Sequence, residues 1–194
     1  MACSSSNDSG TAGVGGHGGA GGYGAGGAPP AQGNFTLIIQ PSAAGNCPTA
    51  GRTYVVGDPQ GPSSISAGDL LTDGEHGATI QCSVLGSGTY TFSGKLKGTS
   101  TENDPIVVQF TNGVINADNL TGSATMAVFT PQLTEYYRSA EGGCAITVVA
   151  ENVKPGSLWA TASCPSIADA SIPDYYKCRV GPTTTFVLAN CDGS

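Results

Sequence analysis

The side chains with the widest chemical reach in this 194-residue chain are seven cysteines, two histidines and fourteen carboxylates. Cys47, Cys82, Cys144, Cys164, Cys178 and Cys191 lie in the body of the chain, and Cys3 stands apart at the front. None forms a Cys-x-x-Cys pair, and zinc sites usually draw two ligands from one tight turn. With only His17 and His76 to assist, a structural metal site is not expected. An even number of widely spaced body cysteines reads instead as disulfides formed in an oxidising compartment. Six cysteines allow fifteen pairings, and the spacing leaves them open. Joining Cys82 to Cys191 is preferred, because it would tie the last strand to the first long hairpin.

A glycosidase needs two carboxyl groups facing each other across a cleft, roughly 5 Å or 6.5–9.5 Å apart. The acids here, among them Asp58, Asp104, Asp118, Glu141 and Asp174, sit mostly beside Gly, Asn or Pro, where turns place them in solvent. A serine hydrolase of the α/β type needs Gly-x-Ser-x-Gly at a strand-to-helix turn, and no such window occurs. Ser87, between Gly86 and Gly88, is a hairpin residue, and no phosphate or dinucleotide fingerprint is present. The densest acidic stretch holds Asp69, Asp73 and Glu75, which could offer oxygen ligands to calcium but lack the fuller alternating pattern of a calcium loop. Neither a metal nor a cofactor is expected.

Aromatic recognition has two candidates, Tyr136-Tyr137-Arg138 and Tyr175-Tyr176-Lys177, both in segments that read as loops. Adjacent residues of an extended segment face opposite ways, so one tyrosine of each pair should be exposed. Tyrosine gives large contact area at low entropic cost, which suits a binding surface. The competing reading has one tyrosine capping the core and the other covering a disulfide. Trp159 falls between Leu158 and Ala160 and is expected to cover a core edge.

The elements that must position these groups are strands. Apolar residues alternate with polar ones at Ala78, Ile80, Cys82 and Val84, at Ile106, Val108 and Phe110, and at Cys144, Ile146 and Val148, the period of a half-buried strand. Strands are expected near 34–40, 52–56, 78–85, 89–96, 106–111, 114–117, 123–130, 144–149, 159–164 and 183–189. Turn chemistry separates them at Gly57-Asp58-Pro59, Gly86-Ser87-Gly88, Thr111-Asn112-Gly113, Lys154-Pro155-Gly156 and Val180-Gly181-Pro182. Regular short strands with no helical spacing predict an all-β fold, an antiparallel sandwich with a flattened barrel as the alternative.

Residues 1–33 contain twelve glycines and one charge, Asp8, and cannot bury enough surface to offset ordering, so a disordered tether before a single domain at 34–194 is expected. Only 11% of the chain is charged, with a net charge of -7. With no basic cluster in the sequence, nucleic acid is not an expected partner; Lys95 and Lys97 are the densest positive spot and share one strand face.

The opening Met1-Ala2-Cys3-Ser4-Ser5-Ser6 resembles the end of the lipobox of bacterial lipoproteins, followed by the flexible spacer common after it. That resemblance implies acylation of Cys3 and a membrane anchor, each buried methylene contributing about 0.8 kcal/mol. A cysteine on an early strand and another just past the last, as in Asn190-Cys191, resembles small surface lipoproteins of myxobacteria and actinobacteria at the level of pattern from Ala78 to Cys191. The expectation is a cell-envelope module without catalysis, one that binds a protein, glycan or envelope component or simply coats the cell. The alternative is a secreted hydrolase acting on polysaccharide through loop carboxylates.

Overall fold

The computed structural model describes residues 28–43, 46–48, 51–57, 70–133, 135–169, 171 and 177–192. Cys3, His17 and most of the expected tether, together with Asp69, Tyr175 and Tyr176, lie outside the described residues. Among the described residues, eleven strands form one antiparallel sheet. They are β1 (Gln32–Pro41), β2 (Thr53–Val56), β3 (Leu71–Thr72), β4 (Thr79–Ser87), β5 (Thr89–Thr99), β6 (Pro105–Asn116), β7 (Thr121–Phe129), β8 (Tyr137–Arg138), β9 (Cys144–Lys154), β10 (Ser157–Asp169) and β11 (Lys177–Ala189). A single turn of 3-10 helix, Glu75–Gly77, precedes β4, and no α-helix occurs among the described residues.

Two expected turns are bulges inside continuous strands. At Thr111-Asn112-Gly113 the chain does not reverse. Asn112 takes a left-handed φ of 53° and the register slips against both β5 and β7, so β6 bends and runs on. Gly113 is required there, since a Cβ would lie 2.3 Å from the Phe92 ring. At Val180-Gly181-Pro182 the register against β1 and β10 also jumps, and the bulge tolerates a proline that cannot donate to the ladder. Beside it the Ile38 amide donates to Thr184 Oγ1 at 3.0 Å. A third correction concerns Tyr137 and Arg138, read as loop. They form β8, a two-residue strand lying between β7 and β10.

The path through the sheet is β2-β1-β11-β10-β8-β7-β6-β5-β4, with β3 on β1 and β9 filling the rest of the gap between β10 and β7. The sheet folds over on itself into two facing layers, β4–β6 against β11, β1 and β2, and is not a closed barrel. Phe110 stacks on Phe186 across the layers with ring centroids 4.3 Å apart. Gly94 and Gly98 let β5 approach Leu188 and Val56, whose atoms a Cβ would meet at 3.0 and 2.6 Å. The alternation read from the sequence is thus the inward face of each layer: Phe35, Leu37, Ile39, Ile80, Val84, Leu96, Val108, Ile146 and Leu158 are all buried.

Three disulfides pin this arrangement: Cys47–Cys178, Cys82–Cys191 and Cys144–Cys164. The second joins β4 to the segment just past β11. There the outward edge of β4 is occupied, with the Val84 amide donating to the Asp192 carbonyl at 3.1 Å and the Asp192 amide to the Cys82 carbonyl at 3.0 Å. Pairing of this kind covers an edge that would otherwise present open hydrogen-bonding groups. Three bridges place the folded chain in an oxidising, extracytoplasmic environment.

Candidate functional site

Cross-strand partners in a sheet share a face and lie side by side. Following the register from β4 therefore traces a row that the sequence scatters over about a hundred positions. Gln81 pairs with Lys95, Lys95 with Gln109, Gln109 with Ala127, Ala127 with Arg138, Arg138 with Ala168, and Ala168 with Lys177. The row lies on the outer face, because the buried residues flanking each member, such as Leu96, Val108 and Val128, point to the core. Lys97, two residues from Lys95, shares this face. The row therefore wraps around the sandwich: Lys95 and Lys97 stand on the outer side of the β4–β6 layer, Arg138 at the bend between the layers, and Lys177, with the exposed Arg179 two residues on, on the outer side of the opposing layer.

Arg138 stands between two grooves. One, of about 350 Å³, is lined by Gln109, Thr111, Asn112, Thr125, Arg138, Ser139 and Glu141. The other, of about 380 Å³, is shared by Arg138 and Lys177 with Pro165, Ser166 and Gly143 along its floor and wall. The first groove is built by hydroxyl groups that fix its own backbone. Ser139 Oγ accepts the Met126 amide at 3.0 Å and donates to the Ala140 carbonyl, and Thr125 Oγ1 accepts the Gly142 amide at 3.0 Å. These bonds hold the chain after β8 against β7, so Arg138 projects from a rigid base. No ion pair engages Lys95, Lys97 or Arg138 among the described residues.

The two tyrosines of the first aromatic cluster part company. Tyr137 is 1% exposed and belongs to the core, so it is withdrawn from the candidate binding surface. Tyr136 is 37% exposed, and its ring lies 5.3 Å from that of Phe129. Phe129 is two residues from Ala127 on the same strand face, which sets this aromatic pair beside Arg138. The opposite facing of adjacent strand residues, already invoked for this pair, explains the split. Trp159 is half-buried between the buried Leu158 and Ala160 on the outer side of β10.

The carboxylates are spread out. None of the five principal grooves carries more than one: Glu141 in the first groove beside Arg138, and Asp192 in the two near Cys82. Asp73 and Glu75 serve their own loop, Asp73 Oδ1 accepting the Ile80 amide at 2.7 Å and Glu75 Oε2 the Thr72 amide at 3.1 Å. No group of three metal-ligating side chains occurs among the described residues. His76 is exposed, 3.6 Å from Glu75. Sequence reading missed Asp169, which is 1% exposed at the end of β10 and accepts both the amide and hydroxyl of Ser171, at 2.7 and 2.6 Å. It missed Asn34 too, whose buried amide group has no hydrogen-bond partner among the described residues. Comparison of the chain with protein-family models, curated proteins and solved structures found no match.

Proposed function

We propose that this chain is a lipid-anchored envelope module that acts by binding rather than catalysis, with the outer face around Arg138 as its contact surface. The observation that carries this reading is the register row, which brings Lys95 and Arg138 alongside a polar groove and the Phe129–Tyr136 ring pair, with Lys177 across the bend from Arg138. Such a surface has hydrogen-bonding groups, charge and apolar area together, the ingredients of recognition. The anchor rests on the lipobox-like opening at Cys3, the seventh cysteine beyond the six that pair. The hydrolase alternative requires two carboxyl groups facing one another, and no observation favours it.

Two measurements test the two halves. Intact mass of the protein from host membranes, taken before and after reduction, should show a lipid adduct on Cys3 and six protons gained only on reduction. An unmodified Cys3 removes the anchor. Capture of host envelope material by the whole chain should be lost when Arg138 and Tyr136 are both replaced by alanine, with thermal stability retained. Capture that persists unchanged moves the contact surface elsewhere.

A further inference from the structure

Resting on that reading of the face, we propose that its ligand is an acidic polysaccharide, a glycan chain carrying carboxylate or sulfate groups at intervals. Charge complementarity gives the sign: Lys95, Lys97 and Arg138 project from the outer side of the sheet and have no ion pair among the described residues. The net charge of -7 does not override this. At physiological ionic strength screening acts over about 8 Å, so a bound chain senses the cations beneath it together with the two carboxylates that share their grooves, Glu141 beside Arg138 and Asp192 beside Lys95. Spacing gives the polymer. Lys95 and Arg138 are three strand steps apart, about 14 Å at roughly 4.8 Å per strand. One monosaccharide cannot reach both, whereas a chain with repeating charges engages them together and gains from their linkage.

The rest of the surface specifies sugar rather than nucleic acid. Gln109, Thr111 and Asn112 line the groove with amides and hydroxyls suited to hydroxyl-rich ligands, and Glu141 adds a carboxylate that can accept from sugar hydroxyls. Phe129 and Tyr136 form one aromatic platform, not the series of stacking rings that single strands use. No α-helix is present among the described residues to enter a major groove. The site is also held in place from both ends. Gln81 at one end of the row precedes Cys82, Lys177 at the other precedes Cys178, and both cysteines are in long-range disulfides. A preorganised face spends less free energy on ordering when the ligand arrives.

The test is affinity electrophoresis of the whole chain through gels containing polygalacturonate, neutral dextran or double-stranded DNA. Retardation by polygalacturonate and not by dextran is expected, weakening as salt rises to 1 M, where screening shortens to about 3 Å. Arg138→Ala should reduce affinity for polygalacturonate about tenfold or more, the scale of losing a charged hydrogen-bonding partner. Arg52→Ala, which removes a cation already paired with Asp104 at 3.0 Å, should leave it unchanged. Unaltered thermal midpoints in both variants show that the fold is intact. Equal retardation by dextran, DNA bound as tightly as polygalacturonate, no retardation at all, or an Arg138→Ala variant that binds like the parent would each overturn the proposal. Capture of a neutral envelope polymer that still depends on Arg138 and Tyr136 would overturn the acidic ligand while keeping the binding face. Loss of all envelope capture would end both.

Discussion

Two rows of side chains cross the outer surface of the same sheet, one cationic and one hydroxylic. The first contains Lys95, Arg138 and Lys177 and passes from β7 to β10 through β8. The second runs Ser87, Thr89, Asn116, Thr121, Thr147, Thr161, Thr185, Thr36 and passes through β9 instead. Both satisfy the same rule, polar residues outward over a buried inner face. Short β-branched hydroxyls favour the pleated surface and pair with one another across strands, solubilising the sheet without charge. Long cations add little to a sheet and reach several ångströms beyond it. In a chain with only 11% charged residues, the cations of the first row follow the sheet around its bend, with Lys95 and Lys97 on one layer, Arg138 at the turn and Lys177 on the other.

The rows differ in their staples as well. The disulfides beside the cationic row close long stretches, with separations of 109 and 131 residues, whereas Cys144–Cys164, next to the hydroxyl row at Ala145 and Ser163, spans 20. In the chain-entropy picture, removing either long bridge costs about 5 kcal/mol and the short one about 3 kcal/mol. Paired Cys→Ala variants unfolded in denaturant should therefore rank Cys144–Cys164 as the mildest loss. The Cys82–Cys191 and Cys47–Cys178 variants, if they still fold, should also bind less tightly, because the ends of the cationic row are freed. The reverse ranking would mean that local strain, not chain entropy, sets the value of these bridges.

Next in size is the contrast inside one dipeptide. Tyr137→Ala empties a fully buried aromatic site and should cost about 3–5 kcal/mol, the range of large aromatic truncations in cores. Tyr136→Ala removes a half-exposed ring and should cost below about 1 kcal/mol while weakening binding. Equilibrium unfolding beside affinity electrophoresis reads both. Equal stability losses would place Tyr136 in the core and take the aromatic platform away from the cationic row.

Period-two alternation made the strands legible in the sequence, because burial on one face leaves its mark on every second residue. The inward sets around Ile80, Val108 and Ile146 followed from it directly. The bulges at Asn112 and Pro182 were illegible for a physical reason: the same residues that reverse a chain can also bend it, and only the partner strands decide which happens. β8 was too short to show a period, so the pair's opposite facing was legible but not which of Tyr136 and Tyr137 is buried. The cationic row was hidden most completely. Its members are brought together by pairing alone, and the absence of a local basic cluster is compatible with a basic surface once strands are laid side by side.

The smallest expected effect decides whether the two rows have different roles. Thr161 Oγ1 reaches the Thr147 carbonyl at 3.4 Å, a long contact at the rim of hydrogen-bonding range. Thr161→Val keeps the branched shape that the strand prefers and removes only that hydroxyl. Stability should change by less than about 0.5 kcal/mol, as for surface substitutions outside buried networks. Affinity for polygalacturonate should not change, since the carbonyl left behind remains open to water. Thr147→Val, at a more exposed position in the same row, should behave likewise. If both variants kept their unfolding midpoints but lost binding, the threonine row would be a contact surface in its own right. The ligand would then have to wrap around both ends of the sandwich, and the cations would supply only part of its grip.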